Sequence, residues 1–185
     1  MQGGNVDQAN VADTSVAALA FLRSGSTPKA GAHQKHVLGA VQYVLAEVEA
    51  SDEDSIFVTK VRGTRVQSKL GQAVDTFSAL TLLTEVQNKM PSAAEDTRVH
   101  AAVAKILRKM KKNQNADGSF EKSGWAPALA QGLGTRALNN AAANGVAVDE
   151  KLREQAEDTD SALHAYRGRE ESFPVARVDR RRLPE

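Results

Sequence analysis

The amino-acid sequence predicts an all-α fold of about three helical hairpins. Several stretches carry apolar residues at positions i, i+3, i+4 and i+7, the spacing that gives a helix one apolar face. Two of these stretches have counterparts about 60 residues further along the chain, which indicates a repeat. Alanine supplies 30 of the 185 residues, and such small side chains allow neighbouring helices to approach closely.

Six helices are predicted in chain order. The first is expected to begin at Asp13-Thr14, two favoured N-cap types, and the fifth to end at Asn144-Gly145, a pair that suits a left-handed cap. Between the second and third helices, the segment Ile56–Val66 is rich in β-branched residues and predicts a short extended piece. The six apolar faces consist of Val16, Leu19 and Ala20; Val37, Val41, Val44, Leu45 and Val48; Leu70, Val74, Phe77, Leu80 and Leu83; Val99, Val103, Ile106, Leu107 and Met110; Leu129, Leu133 and Leu138; and Leu152, Ala156 and Leu163.

The predicted helices form a repeat. The helix starts Asp13-Thr14 and Asp75-Thr76 lie 62 residues apart, and His36 and His100, which open the second and fourth helices, lie 64 residues apart. A period near 60 residues that holds two helices is typical of helical-hairpin repeats, in which each hairpin contacts mainly its neighbours. A third unit over residues 134–166 fits the spacing without the Asp-Thr pair.

The segment between the fourth and fifth helices holds the most specific pattern in the chain. Its Asp-Gly pair suits a tight turn because glycine tolerates a positive φ and aspartate bonds to its own backbone. A glutamine before the pair can bridge the turn, and the two aromatic rings after it are expected to be buried against adjacent helices. The motif consists of Gln114, Asp117, Gly118, Phe120, Gly124 and Trp125.

This motif resembles the Gln…Asp-Gly-Ser-aromatic…Gly-Trp repeat of the prenyltransferase and squalene-cyclase family. The run from Gly134 to Asn139 and the two Asp-Thr helix starts are also similar to that family, and the resemblance covers roughly residues 10–155. It implies a terpenoid-cyclase-like fold in which the hairpins form part of an (α/α) toroid. It also implies that the motif is structural and ties one hairpin to the next, with a substrate-cavity role for the aromatic rings as the alternative.

The same resemblance bears on catalysis. Class II terpenoid cyclases protonate an alkene with an Asp-x-Asp-Asp-Thr-Ala motif whose middle aspartate donates the proton. Residues 10–15 match this motif best, but Ala12 stands at the donor position and has no proton to give. Asp13 and Asp75 remain as catalytic candidates, and an N-cap role explains both of them without catalysis.

No cofactor and no metal are predicted. The chain has no cysteine, which removes the zinc and thioester sites of proteins with related architecture. His33 and His36 stand at i, i+3 without an evident third metal ligand, since His100 and His164 are dispersed. The acidic runs 52–54 and 157–160 lack the Asp-Asp-x-x-Asp pattern that holds magnesium in prenyl diphosphate synthases, and we expect them to be solvated.

The charge distribution makes a nucleic-acid partner improbable. The chain has 24 basic and 23 acidic side chains, a formal net charge of +1. Five cations in residues 105–112 crowd the end of the fourth helix, where they complement its dipole, with an anion-binding patch as the alternative. The Arg-rich tail, residues 167–185, is expected to be flexible or extended, and a nucleic-acid role would rest on this tail alone.

Membrane insertion is not predicted, because no apolar run approaches the roughly 20 residues that span a bilayer. No signal peptide is visible at the N-terminus, but a leader could have been removed, so the compartment stays open.

These observations predict a flexible N-terminus (1–9), a terpenoid-cyclase-like helical repeat domain (10–166) and the Arg-rich tail (167–185). The predicted function is non-catalytic: the domain binds a protein partner, which includes a second copy of itself, or an apolar, isoprenoid-like ligand. The alternative is part of an enzyme of isoprenoid metabolism, similar to prenyltransferases or squalene-hopene cyclases, that another chain or segment completes.

Overall fold

The structure, a computed structural model, describes residues 8–120 and 125–170. All regular secondary structure in these residues is helical, so the prediction of an all-α fold is confirmed. Gly124 of the loop motif and most of the predicted N-terminal and Arg-rich tails lie outside the described residues, although residues 167–170 continue the last helix. The helices are α1 (Val11–Arg23), α2 (Gln34–Ala50), α3 (Arg65–Leu70), α4 (Val74–Val86), α5 (Ala93–Asn113), α6 (Pro127–Ala143) and α7 (Glu150–Glu170).

One helix begins at a residue other than the predicted one, and its capping hydrogen bond explains the difference. α1 begins at Val11 and not at Asp13-Thr14, because Asn10 has extended backbone angles and its side chain accepts a hydrogen bond from Asp13 N–H at 2.8 Å. The cap predicted at the end of α6 is confirmed: Gly145 has a φ of 81° and its N–H donates to the Ala142 carbonyl oxygen at 3.0 Å.

The segment Ile56–Val66 forms no strand, so the predicted extended piece is wrong. Its chain is irregular up to the short helix α3, which the sequence analysis did not separate from α4. Ile56 and Val58 bury their side chains in the core as the segment crosses it, with no neighbouring strand to pair with. The β-branched residues here therefore serve packing and not a β-sheet.

Six of the helices pair into three hairpins, α1–α2, α4–α5 and α6–α7. α1, α4 and α6 form a row in which α4 packs against both of the others, while α2 and α5 pack against each other on the outside. α1 and α4 run parallel, because Ala12 meets Asp75 at their N-terminal ends and Arg23 meets Glu85 at their C-terminal ends. The C-terminal ends of α4 and α6 line one groove, so all three helices of the row run in the same direction.

α4 lies at the centre of the core. Neighbours on both sides of the row and α5 behind it leave no wide solvent face, so the helix is apolar around most of its circumference. Its largest buried side chains are Phe77, Leu80, Leu82 and Leu83. Among the described residues, no helix is both long and apolar enough to cross a bilayer.

Candidate functional site

Asp75, a predicted catalytic candidate, is a buried link between three helices. Its side chain is 1 % exposed in the second position of α4. Its Oδ1 accepts a hydrogen bond from Ala12 N–H of α1 at 2.8 Å, and its Oδ2 accepts one from Gln67 Nε2 of α3 at 2.7 Å. Burial raises the pKa of this carboxyl above its ordinary value, although both hydrogen bonds favour the charged form. Asp75 thus caps the N-terminus of α1 from a distance, and Ala73 is the N-cap of its own helix.

Asp13, the other candidate, lies in the first turn of α1 and is exposed. Asn10 is the N-cap because its Oδ1 accepts from Asp13 N–H, so the N-cap role predicted for Asp13 is wrong; Asp13 Oδ2 accepts a second hydrogen bond from Asn10 Nδ2 at 2.7 Å. Ala12 is 1 % exposed, and its N–H is the donor to Asp75. The two aspartates therefore have different roles: Asp75 is buried and hydrogen-bonds to α1, and Asp13 faces solvent.

The loop from Gln114 to Phe120 joins the second hairpin to the third. Gln114 Nε2 donates to the Gly118 carbonyl oxygen at 3.2 Å within the loop and to the Leu152 carbonyl oxygen of α7 at 3.0 Å. Asp117 Oδ1 accepts from the Ser119 backbone and hydroxyl at 3.1 and 2.6 Å, which closes the turn. Thr159 Oγ1 of α7 donates to the Asp117 carbonyl oxygen. These contacts hold the loop against α7, which is a structural role within this chain.

The two aromatic rings of the motif differ in their surroundings. Phe120 is 6 % exposed and its ring lies 5.5 Å from that of Phe77, between centroids, beside Gly134. Trp125 is 83 % exposed, so the expectation that its ring is buried is wrong. Trp125 lies just before α6, and the N–H of the next residue, Ala126, donates to the Lys69 carbonyl oxygen of α3 at 2.9 Å.

Two buried glutamines complete this framework, and the sequence analysis missed both. Gln67 forms a capping box with Thr64 at the start of α3 and reaches Asp75. Gln131 Nε2 on α6 donates to the Gly118 and Ala156 carbonyl oxygens at 3.3 and 3.1 Å. A Thr-x-x-Gln spacing at residues 64–67 was the signal that could have revealed α3.

The four histidines do not converge. On the surface between α1 and α2, the His33 ring stacks on Phe21 and the His36 ring is tilted against it, with ring centroids 4.4 and 5.8 Å from the phenyl ring. His100 contacts Asn88, and His164 contacts Asp160 one turn earlier in α7. In the part of the chain that the structure describes, no group of three or more metal-ligating side chains is present.

The acidic run 52–54 is exposed, as predicted, and it also contacts the basic run of α5. Lys105 Nζ donates to the Ser51 carbonyl oxygen at 2.6 Å, and Lys109 Nζ donates to that of Asp52. Lys112 pairs with the Asp54 carboxylate. We call this arrangement the charge clamp (residues 51–54 with 105, 109 and 112). Arg108 also contacts Glu53 at 3.7 Å, so the acidic run engages four of the five cations considered for an anion-binding patch.

Lys109 is the buried member of the charge clamp. Its side chain is 0 % exposed, and burial lowers the pKa of its ammonium group below the ordinary value. The carboxylate of Asp52 lies 3.6 Å from its Nζ. Hydrogen bonds from the backbone N–H and hydroxyl of Ser55 and from Asp54 N–H hold the pKa of Asp52 well below its ordinary value.

The hydrogen bonds that the Asp52 carboxylate accepts, first of all from Ser55, predict a loss of stability in acid. A carboxyl whose pKa is lower in the folded protein stabilises it above the unfolded pKa, near 4, and this contribution disappears as the pH falls through the folded value. Asp52→Ala is therefore expected to lower the melting temperature at neutral pH, by an amount that shrinks in acid. Asp158→Ala, exposed on α7, is the matched control. An equal effect of both substitutions in a thermal melt series across pH would contradict this role of the Asp52 carboxylate.

Two grooves flank the third hairpin. The first, about 570 Å³, lies between α5 and the turn that joins α6 to α7, where α5 and α7 do not pack closely. Val103, Leu107, Val146 and Leu152 line it together with polar and charged side chains. The second, about 530 Å³, lies between α6 and α7 on the outer side, with Leu70 of α3 at its edge. We call them the α5 groove and the α6–α7 groove; neither Asp13 nor Asp75 lines either one.

The fold and its two grooves define an all-α protein made of three stacked helical hairpins. Comparison of the chain with protein-family models, with curated proteins and with solved structures found no match.

Proposed function

We propose that the chain is a non-catalytic, terpenoid-cyclase-like helical repeat domain that binds a protein partner or an apolar ligand. The observation that carries this proposal is the placement of the two candidate carboxylates. Asp75 is buried and engaged by two donors, and Asp13 is exposed and away from the grooves. A proton donor must reach its substrate within hydrogen-bonding distance, and neither carboxylate lines either of the two grooves.

The α5 groove is the best site for a small ligand. Its volume of about 570 Å³ falls in the range of known ligand sites, roughly 300–1,000 Å³. Its apolar lining suits a hydrocarbon chain, and Arg108, Lys111 and His100 at its rim suit an anionic head group. Lys111 pairs with Asp149 at 2.7 Å and Arg108 contacts Glu53 at 3.7 Å, so a bound anion would compete with these two carboxylates. A polyprenyl chain with a terminal phosphate has this chemistry.

Binding of a fluorescent polyprenyl phosphate to the purified chain tests this site. Leu107→Gln places an amide against the apolar floor and is expected to weaken binding about tenfold, a loss of about 1.4 kcal/mol. Leu129→Gln, in the other groove, is the matched control and should bind as the wild type does. Equal binding by all three proteins would remove the α5 groove as the ligand site.

The competing function is part of an enzyme of isoprenoid metabolism that a second chain or segment completes. The open outer side of the third hairpin, where Trp125 and Leu129 are exposed, favours it because further structure would cover these side chains. Mass spectrometry of squalene and polyprenyl diphosphate incubations distinguishes the two. Product that disappears in the Asp13→Asn variant would overturn the non-catalytic proposal, and unchanged substrate supports it.

A further inference from the structure

The large apolar side chains that remain exposed lie at the two ends of the row formed by α1, α4 and α6. Val16 on α1 is 60 % exposed, Leu129 on α6 is 50 % exposed, and Trp125 just before α6 is 83 % exposed. They are the exposed large hydrophobic residues of the part that the structure describes, and none belongs to α4. The middle of the row is covered on both sides, whereas each end presents apolar surface to solvent.

At the α6 end, the α6–α7 groove has an apolar wall and one unpaired cation. Leu129 and Leu133 of α6 line it together with Leu70. Arg136 lies one turn after Leu133 in the same groove, is exposed, and makes no ion pair with any residue that the structure describes. This end therefore offers an apolar surface that carries Arg136 on α6, while Asp160 on the α7 side of the groove contacts His164.

At the α1 end of the row, the exposed face carries small apolar side chains and one negative charge. Asp13, Val16, Ala17 and Ala20 are exposed and follow the i, i+3, i+4, i+7 spacing of one helix face. The alanines allow a close helix–helix approach, and the Asp13 carboxylate stands at the start of the face. The charge on this face is opposite to that of Arg136 in the α6–α7 groove.

In a continued row, Asp13 of one copy and Arg136 of the next would lie at nearly the same position along the helix axes. Ala12 contacts Asp75, and the Phe77 ring of α4 lies against Gly134 beside that of Phe120, so position 14 of α1 stands roughly level with position 134 of α6. A copy that extended the row by the same step would place its Asp13 level with Leu133. Arg136 lies three residues further, about 4.5 Å along the axis, within reach of its long side chain.

The turn before α2 and the first part of α2 carry the same complementarity toward the first half of α7. Residues 14–46, which include the α1–α2 turn and most of α2, hold three basic side chains and no acidic one. Residues 150–160 of α7 hold five acidic and two basic side chains. α2 and α7 both begin at the end of the molecule where the inner helices finish, because the inner helices run in parallel. In a continued row these two segments would therefore lie side by side.

We propose that the chain associates head to tail with a second copy of itself, with the exposed face of α1 docked into the α6–α7 groove. The contact joins two different surfaces, so it is heterologous and leads either to a closed ring or to longer assemblies. This inference names the protein partner of the binding function proposed above and rests on it. Self-association uses neither the α5 groove nor a catalytic step. Self-association and ligand binding in the α5 groove can therefore be disproved separately.

Sedimentation velocity at concentrations up to about 1 mM tests the association. The wild type should exceed the monomer mass of 19.8 kDa as its concentration rises. Val16→Glu and Leu129→Glu each place a charge in the contact and should raise the dissociation constant at least tenfold, while Leu107→Gln should leave it unchanged. Both altered side chains are exposed, so circular dichroism and melting curves should match the wild type. A wild type that stays monomeric throughout would overturn the proposal.

Mixing the two variants tests the head-to-tail arrangement itself. Val16→Glu keeps an intact α6 end, and Leu129→Glu keeps an intact α1 end, so the mixture should form one junction and stop at a heterodimer. A symmetric contact between like surfaces would give no recovery on mixing and would overturn the inference.

Charge exchange adds a second check: Asp13→Arg and Arg136→Asp should each weaken association, and the double variant should restore it. Failure of the double variant to regain association would remove the proposed ion pair.

Discussion

Gly118→Ala is expected to destabilise the protein by about 3 kcal/mol, the largest effect of a single methyl group that this structure predicts. Gly118 has a φ of 79°, a left-handed conformation that costs a residue with a Cβ roughly 1–2 kcal/mol. The added Cβ would also overlap the Gln155 carbonyl oxygen of α7 and lie 2.5 Å from Thr159 Oγ1. Relief of this overlap requires α7 to move away from the loop, at a further cost of about 1–3 kcal/mol.

Gly145→Ala separates the cost of the left-handed backbone from the cost of the overlap with α7. Gly145 has nearly the same φ, 81°, but no atom lies within 4 Å of the position its Cβ would occupy. It should therefore lose only the conformational part, about 1 kcal/mol. Urea unfolding of both variants measures the difference. Equal losses would show that α7 does not press against the loop at Gly118.

Asp75→Ala is expected to cost about 2–4 kcal/mol, because it leaves the buried Ala12 N–H without an acceptor and removes one acceptor of Gln67. The matched substitution Asp13→Ala removes an exposed carboxylate from a helix N-terminus and should cost at most about 1 kcal/mol. Chemical denaturation of both variants gives these values. A larger loss for Asp13→Ala would contradict the assignment of Asp75 as the structural link.

The pH dependence of the Asp75→Ala effect has a definite sign. Burial raises the folded pKa of Asp75 above the unfolded value, so the folded protein holds this proton more tightly. The stability that follows from this is complete below the unfolded pKa and is lost as the pH rises through the folded pKa. The difference between wild type and Asp75→Ala should thus be larger in acid than at neutral pH. The effects of other carboxyls cancel in this comparison.

Local patterns were sufficient to predict most of the helices. The apolar spacings in α2 and α5 place Val37, Val41, Val99 and Val103 in the core, where the structure finds them, because a helix buries the stripe that its own sequence makes apolar. The break between α3 and α4 was missed for a local reason. Leu70 continues the apolar spacing of α4, although Gly71 with a φ of 84° separates the two helices.

The charges could not be assigned from local patterns. The acidic run 52–54 and the cations of α5 are more than 50 residues apart, and each alone is typical of a solvated surface. Asp13 and Asp75 share the dipeptide Asp-Thr, yet one is exposed and the other is buried against a helix 63 residues away. Which aspartate is buried depends on the neighbour that each helix meets, and α4 has neighbours on both sides.

The sequence by itself determined the all-α class, the hairpin period and the turn chemistry at residues 117–118 and 144–145, because backbone preference and helical periodicity act over a few residues. Only the tertiary structure decided the position of the charge clamp, the burial of Asp75 and the exposure of Trp125 and Leu129. These depend on contacts between helices far apart in the chain, and the free energy of burying a group is set by what lies against it rather than by its own neighbours in sequence.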